Sequence, residues 1–516
     1  MRFRQIFSLR SLIFIISFMS IIFSSFLCYA VNVKGLVFED INLNNRFDAG
    51  ERGIAGVGIS NGEIVVLTNG DGRYSLEMGE NKILFVIKPS GYDFFEGRNT
   101  HKPAFYKFIE NSDGVGNGLN DVNFPLIKSN IPDKFSAVIL GDMQVTDDEE
   151  IDYLRDSTIP ELSEERAAFI LTLGDNANNN LDVYPRLTSI LGMAGKTIYY
   201  LPGNHDTNDK IEGPDNHYNI YRQFFGPDYY SFNYGKVHFI VLNDIKWENG
   251  VYHGELGIKQ LNWIKEDLKY VQRDSLIVLA MHIPLISWVD RNNPNHSVKD
   301  RDELFNLLSD FDNVIALAGH THDLEKLYPG ELINGWSNGL TFPQIIAGAV
   351  CGSWWQGEKD EFGIPFSYMK DGAPKGYFVM QFDDSEYTDT YKATGKPSDY
   401  QVNINLFNNN VIQNDSTISI DEINNSEIIS NVFNADIYSN IDISFDGDEY
   451  SQMEKVVTID PFINERVLGN TLPVESTHIW RSKLPTNLGK GVHLVRVRFI
   501  DKSGHKYVSS KIIEIK

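Results

Sequence analysis

Cysteine is almost absent: the 516 residues hold two, Cys28 and Cys351. So few thiols exclude a disulfide framework and a thiolate metal cage. Basic charge is also short, with 46 Lys+Arg against 70 Asp+Glu. A net charge of −24 argues against a nucleic-acid backbone as partner. Long apolar runs are missing everywhere but at the start. There, Arg2, Arg4 and Arg10 precede or open an uncharged stretch, Ser11 to Leu27, that ends at Cys28-Tyr29-Ala30. This reads as a secretory signal over residues 1–30, cleaved after Ala30; a retained transmembrane anchor is the alternative. Cleavage predicts an exported protein (periplasmic, surface-bound or secreted) with no membrane span and one cysteine, Cys351, read as buried. The remainder is long enough for several domains.

What is abundant is polar punctuation after short apolar runs. Five clusters stand out: Gly141-Asp142-Met143-Gln144, Gly174-Asp175-Asn176, Gly203-Asn204-His205-Asp206, Met281-His282-Ile283-Pro284 and Gly319-His320-Thr321-His322. They follow the strand-like runs Ala137 to Leu140, Ala168 to Leu173, Thr197 to Leu201, Leu276 to Ala280 and Val314 to Ala318. Runs of this kind, spaced by helix-length segments, predict an α/β core with a largely parallel buried sheet. Ligands of such sheets sit beyond the carboxyl ends of the strands. Five strand ends would therefore deliver Asp142, Gln144, Asp175, Asn204, His282, His320 and His322 to one edge. Their oxygen and nitrogen donors suit Mn, Fe, Zn or Mg. Seven side chains exceed one tetrahedral zinc and suit two divalent ions.

In order and spacing these residues resemble the calcineurin-like metallophosphoesterases, whose pattern is D-x-H, GD, GNH[DE], H and GHxH. The likeness covers roughly Lys134 to Asp383 and is closest to secreted bacterial members with an extra domain at each end. It implies an α/β sandwich in which Asp142, Gln144 and His322 hold the first metal. Asp175 would bridge, and Asn204, His282 and His320 would hold the second. His205 would face the phosphate. The implied reaction is attack on phosphorus by a metal-bridging hydroxide, with His205 offsetting charge or protonating the leaving group. Asp206 either orients His205 or caps the following helix. Gln144 stands where most of the family has His; an amide oxygen re-tunes the first metal toward harder ions. Asn176 and its neighbours replace an acid common after the bridging Asp.

The expected core spans 134–385. Within it, Lys236 to Leu242 reads as a strand and Leu261, Ile264 and Leu268 as a helical stripe. His253, Trp354 and Trp355 are candidate substrate contacts. The paired tryptophans read equally as a stacking platform and as a plug at a domain junction. Residues 31–126 read as a β-sandwich. Its segment Asp40, Asn42, Asn44, Arg46, Asp48 and Glu51 has calcium-loop spacing, with a backbone carbonyl at Arg46; the other reading is a solvated Asn/Asp turn. Residues 386–400 read as a linker and 401–516 as a second β-sandwich. The leading function is hydrolysis of a small-molecule, glycan-linked or lipid-linked phosphate ester, leaning to a diester over a monoester. The alternative is a surface binding or adhesion protein on a degenerate core.

Overall fold

The computed structural model describes residues 32–78, 82–109, 122–208, 217–291, 293–447, 449–464, 466 and 471–516. The leader assigned to 1–30 lies outside the described residues. So do 110–121 of the expected linker region and 209–216 of the insertion after Asp206. No described helix is long and apolar enough to cross a membrane.

The central domain is the expected α/β sandwich, its largely parallel strands divided between two sheets. In the first, Lys134–Leu140, Phe169–Thr172 and Thr197–Tyr199 run parallel. Gly376–Asp383 and Glu386–Ala393 extend its other side antiparallel. In the second, Val237–Val241, Leu276–Ala280, Val314–Ala318 and Gln344–Ala347 run parallel. Tyr230–Tyr234 and Leu324–Leu327 close its two edges antiparallel. The interior strands are buried on both faces, which is why they read as unbroken apolar runs. An unbroken run has no period to say which of two sheets it joins. Phe135, Phe169, Phe232, Phe239 and Phe382 pack between the sheets.

One boundary differs from expectation. Residues 386–393, assigned to a linker, form the outer strand of the first sheet, with Asp389, Tyr391 and Ala393 buried. Its polar alternation is that of a half-exposed edge strand. The helix Asp148–Glu164 runs without a break through Pro160. Asp147 caps it, accepting from Glu149 and Glu150 N–H. The helix Gly257–Leu268 buries Leu261, Trp263, Ile264 and Leu268, the predicted stripe.

Both flanking domains are all-β. The first has sheets of five and four strands. Its apolar interior is continuous with that of the central domain. Trp263 Nε1 donates to Ser60 Oγ at 3.0 Å across this junction, and the Phe105 and Tyr230 rings lie 4.7 Å apart. The C-terminal domain has two five-stranded sheets and its own apolar cluster.

Candidate metal centre

The strand ends of both central sheets meet at one site, and all seven predicted ligands lie there. Each is buried, from Asp142 and His282 at 0% exposure to His320 at 8%. Four adopt a left-handed backbone: Gln144 (φ 44), Asp175 (φ 45), His320 (φ 74) and His322 (φ 56). Such conformations cost a non-glycine residue about 1–3 kcal/mol and concentrate at functional sites. The glycines of the clusters have steric reasons. A Cβ on Gly203 would stand 2.0 Å from Asp175 Oδ1, and one on Gly319 would stand 2.4 Å from Asp142 Oδ1.

The three imidazoles share one orientation rule. His282 Nδ1 donates to Leu173 O at 2.8 Å, His320 Nε2 to Asn295 O at 3.1 Å and His322 Nδ1 to Gly352 O at 2.6 Å. Each ring so fixed turns its other nitrogen inward, as metal-binding histidines do. His282 Nε2 then faces His320 Nδ1 at 3.1 Å, Asn204 Oδ1 at 3.0 Å and Asp175 Oδ2 at 3.4 Å. His322 Nε2 faces Asp142 Oδ2 at 3.2 Å, and that oxygen is buried with no hydrogen-bond partner. Lone pairs aimed at one another repel unless positive charge lies among them. Asp175, His282 and His320 place ligand atoms within 4.8 Å of one another, the only such group of His, Cys, Asp and Glu among the described residues. The donor set fits a divalent cation.

The electrostatics agree. Burial would lower His282, yet the charges of Asp175 and Asp142 lift it to about 10. Burial would raise Asp175, but His282 and His205 hold it below the usual carboxylate range. Burial and the neighbouring His282 and His296 push His320 well down. The site attracts positive charge and lodges only part of it on its own rings.

Gln144 Nε2 donates to Asp175 Oδ2 at 3.0 Å, so its amide oxygen faces Cys351 Sγ instead. Turned over by 180°, the same side chain presents Oε1 to a cation. His205 is anchored by its backbone N–H on Asp175 Oδ1 at 2.8 Å. Its ring is 29% exposed, and Nδ1 has no partner.

Asp206 does neither thing expected of it. Its carboxylate accepts from Asn176 N, Asn176 Nδ2, Ala177 N, Gly203 N and Tyr184 Oη at 2.8–3.0 Å. These bonds hold the turn after Asp175, and none reaches His205. His253 is likewise corrected. It lies on the strand Val251–Gly254 with Nε2 on Glu255 at 3.1 Å. Its neighbour Tyr252 faces the site, 5.8 Å from the His320 ring. The two tryptophans have different surroundings. Trp355 is buried inside the central domain, away from any domain junction, with Nε1 on Met143 O at 2.9 Å and its ring beside Tyr153. Trp354 is partly exposed and stacks on His322 at 4.2 Å. Cys351 is buried, and burial with the nearby Asp142 raises its thiol well above the usual range.

Two residues at the site were missed. The His296 ring lies 4.7 Å from that of His320, tilted by 36°; a lone His in a polar loop carries no sequence signal. Asp244 accepts from His282 N and Ile283 N, both at 3.3 Å, and burial pushes it up to about 7. Its signal was present: Asn243-Asp244 follows an apolar strand just as the five clusters do.

Comparison with known proteins agrees with this architecture. Residues 135–324 match the model of the calcineurin-like phosphoesterase family. Residues 41–128 match its "N terminal of Calcineurin-like phosphoesterase" model, and 345–507 its "C terminal" model. The central domain is a calcineurin-like metallophosphoesterase core. The chain is similar to the 3',5'-cyclic adenosine monophosphate phosphodiesterase CpdA of Haemophilus influenzae, 31% identical over 32% of this chain and 58% of that one. It is also similar to a 3',5'-cyclic-nucleotide phosphodiesterase of Nostoc sp., 27% identical over 30% of this chain and 55% of that one. It thus spans little more than half the length of these curated relatives. A solved structure, "Structure of PhoD", covers 65% of this chain and 79% of its own at 14% identity and a TM-score of 0.36. In the phosphoesterase core, aromatic rings stand beside the imidazoles, Trp354 against His322 and Tyr252 against His320.

Proposed function

We propose that this chain is an exported, metal-dependent phosphoesterase with two ions, acting on a diester in preference to a monoester. The observation that carries the reading is the set of three inward-turned imidazoles around Asp175. Asp142, Gln144 and His322 would hold one ion, Asn204, His282 and His320 the other, with Asp175 shared. Divalent cations bound there supply Lewis-acid charge to a phosphoryl group and a more acidic water; Mn, Fe, Zn and Mg all suit the donors. His205 presents a partly exposed ring, anchored through its backbone, to a phosphoryl or leaving oxygen. Trp354 and Tyr252 offer flat apolar faces to the organic groups flanking phosphorus, which favours a substrate with two of them. A small-molecule, glycan-linked or lipid-linked ester fits.

The test is turnover of p-nitrophenyl phosphate and bis-p-nitrophenyl phosphate by protein starting at Val31, with Mn²⁺. Faster cleavage of the diester is expected. No turnover of either ester and no bound metal would leave a binding protein on a degenerate core.

Gln144→His should bring the first site to the commoner family pattern. An imidazole nitrogen binds borderline metals better than an amide oxygen, so tighter Zn²⁺ binding at that site is expected, by about tenfold. Competition titration with a chromophoric chelator measures it.

We also assign structural Ca²⁺ to the loop of Asp40. Asn42 and Asn44 both donate to Asp48 Oδ2, at 2.9 and 2.7 Å, and Glu51 Oε2 accepts Asp48 N–H at 2.9 Å. Asn45, where calcium loops usually have Gly, adopts φ 63. Millimolar Ca²⁺ should raise the melting midpoint of the wild type and not that of Asp48→Ala. Equal midpoints with and without Ca²⁺ would leave a solvated turn.

A further inference from the structure

The turn Met369–Ala373 lies between the metal centre and the C-terminal domain. Toward the centre it grips both flanks of Asp323. Lys370 N–H donates to His322 O at 3.2 Å, and Asp371 Oδ2 accepts Leu324 N–H at 2.7 Å. The residue so gripped, His322, is one of those held at positive φ. A strained backbone persists only where its surroundings over-determine it.

Toward the C-terminal domain the same turn is fastened by side chains of that domain and one of its backbone N–H groups. His478 Nε2 donates to Asp371 Oδ2 at 3.0 Å. Asn431 Nδ2 donates to Asp371 O at 3.0 Å and to Asp460 Oδ2 at 2.8 Å. With its amide nitrogen used twice, Asn431 turns Oδ1 to His478 Nδ1 at 2.7 Å. Both nitrogens of the His478 ring are thus engaged. Val474 N–H meets Lys370 O at 3.0 Å. Asp371, Asn431, Asp460 and His478 are all at least 95% buried. Gly372 has φ +85, and a Cβ there would stand 2.6 Å from Asp460 Oδ2. A junction that needed only adhesion would be cheaper in apolar residues, because each of these polar groups must be desolvated.

We infer that His478 is a positioning residue of the metal centre: through Asp371 it fixes the backbone of His322 and so the direction of His322 Nε2. The C-terminal domain is then part of the site, although none of its side chains enters it. This rests on the phosphoesterase reading above, and the two fail in different ways.

The experiment uses the full chain from Val31, stripped of metal, with His478→Gln, Asp371→Asn and the control His493→Gln, a histidine of the same domain that pairs with Asp446. Mn²⁺ is titrated in by calorimetry, and kcat and KM are then measured on bis-p-nitrophenyl phosphate. Loss of a partner behind a metal ligand typically weakens metal binding by about 10–100-fold. That loss is expected for one of the two Mn²⁺ sites in His478→Gln, with kcat falling in step and KM little changed. His493→Gln should match the wild type. A merely structural His478 would lower the melting midpoint and leave Mn²⁺ affinity and kcat intact; that result overturns the inference. If His478→Gln does not fold, Asp371→Asn decides, since it keeps the shape of the turn and removes the charge that His478 meets; unchanged Mn²⁺ affinity there overturns the inference too. Wild-type protein that binds no Mn²⁺ and cleaves nothing overturns the phosphoesterase reading instead.

Discussion

Asp175→Asn is expected to lower turnover by on the order of 10³-fold while the fold stands. The substitution keeps the shape and keeps an oxygen for His205 N–H, now 2.8 Å away. It removes the charge that faces His282 Nε2 at 3.4 Å. A metal contributes several kcal/mol to stabilising charge in the transition state, and each ~1.4 kcal/mol is a factor of ten in rate. Elemental analysis should find less Mn in the variant than in the wild type, with far-UV dichroism unchanged. Full activity in a folded Asp175→Asn protein would remove the shared carboxylate from the mechanism.

Asp206→Ala should have the largest effect on stability, for a reason unrelated to proton transfer. It strips acceptors from three buried backbone N–H groups, at Asn176, Ala177 and Gly203, and from Tyr184 Oη. Each buried group left unpaired costs about 1–3 kcal/mol. Partial relaxation brings the expected total to roughly 3–5 kcal/mol. In a domain of this size that is a fall of about 10 °C in melting midpoint, read by scanning calorimetry. Turnover should fall with it, because the same bonds hold the turn that carries Asp175. A variant with an unchanged midpoint and altered pH–rate profile would restore Asp206 to the role of orienting His205.

The two substitutions mark what a sequence can convey about such a site. The seven buried donors were legible because five apolar strands end abruptly in a metal-binding side chain, four of them through a glycine, and nothing in protein packing asks for that pattern. The direction of a side chain was not legible. Tyr252 and His253 are adjacent on one strand, and alternation sends them to opposite faces; which one meets His320 depends on a register that no residue announces. Trp354 and Trp355 both have positive φ, so the chain turns between them and gives them different fates. Asp206 sits beside His205 in sequence, yet its partners are backbone groups of another strand end. The outer strand 386–393 was misread because polar alternation at an exposed edge resembles a linker. His478 lay furthest from view, since its partner Asp371 is 107 positions away.

The apolar interiors have a consequence for how the molecule comes apart. One cluster runs unbroken through the N-terminal and central domains and reaches Phe433 of the C-terminal domain, whose remaining apolar residues form a second cluster. Residues that share a core lose it together, whereas separate cores melt as separate cooperative units. The N-terminal sandwich is thus bound to the fate of the phosphoesterase core, with Trp263 as a common pin. The C-terminal sandwich has a core of its own, joined to the rest by the Phe433 ring against Tyr391, by hydrogen bonds from Tyr328 to Asp436 and from Lys326 to Asn434 O, and by the polar knot at Asp371. Partial heating or mild denaturant would release that unit first or last, never halfway, and its release would take with it the hold on His322.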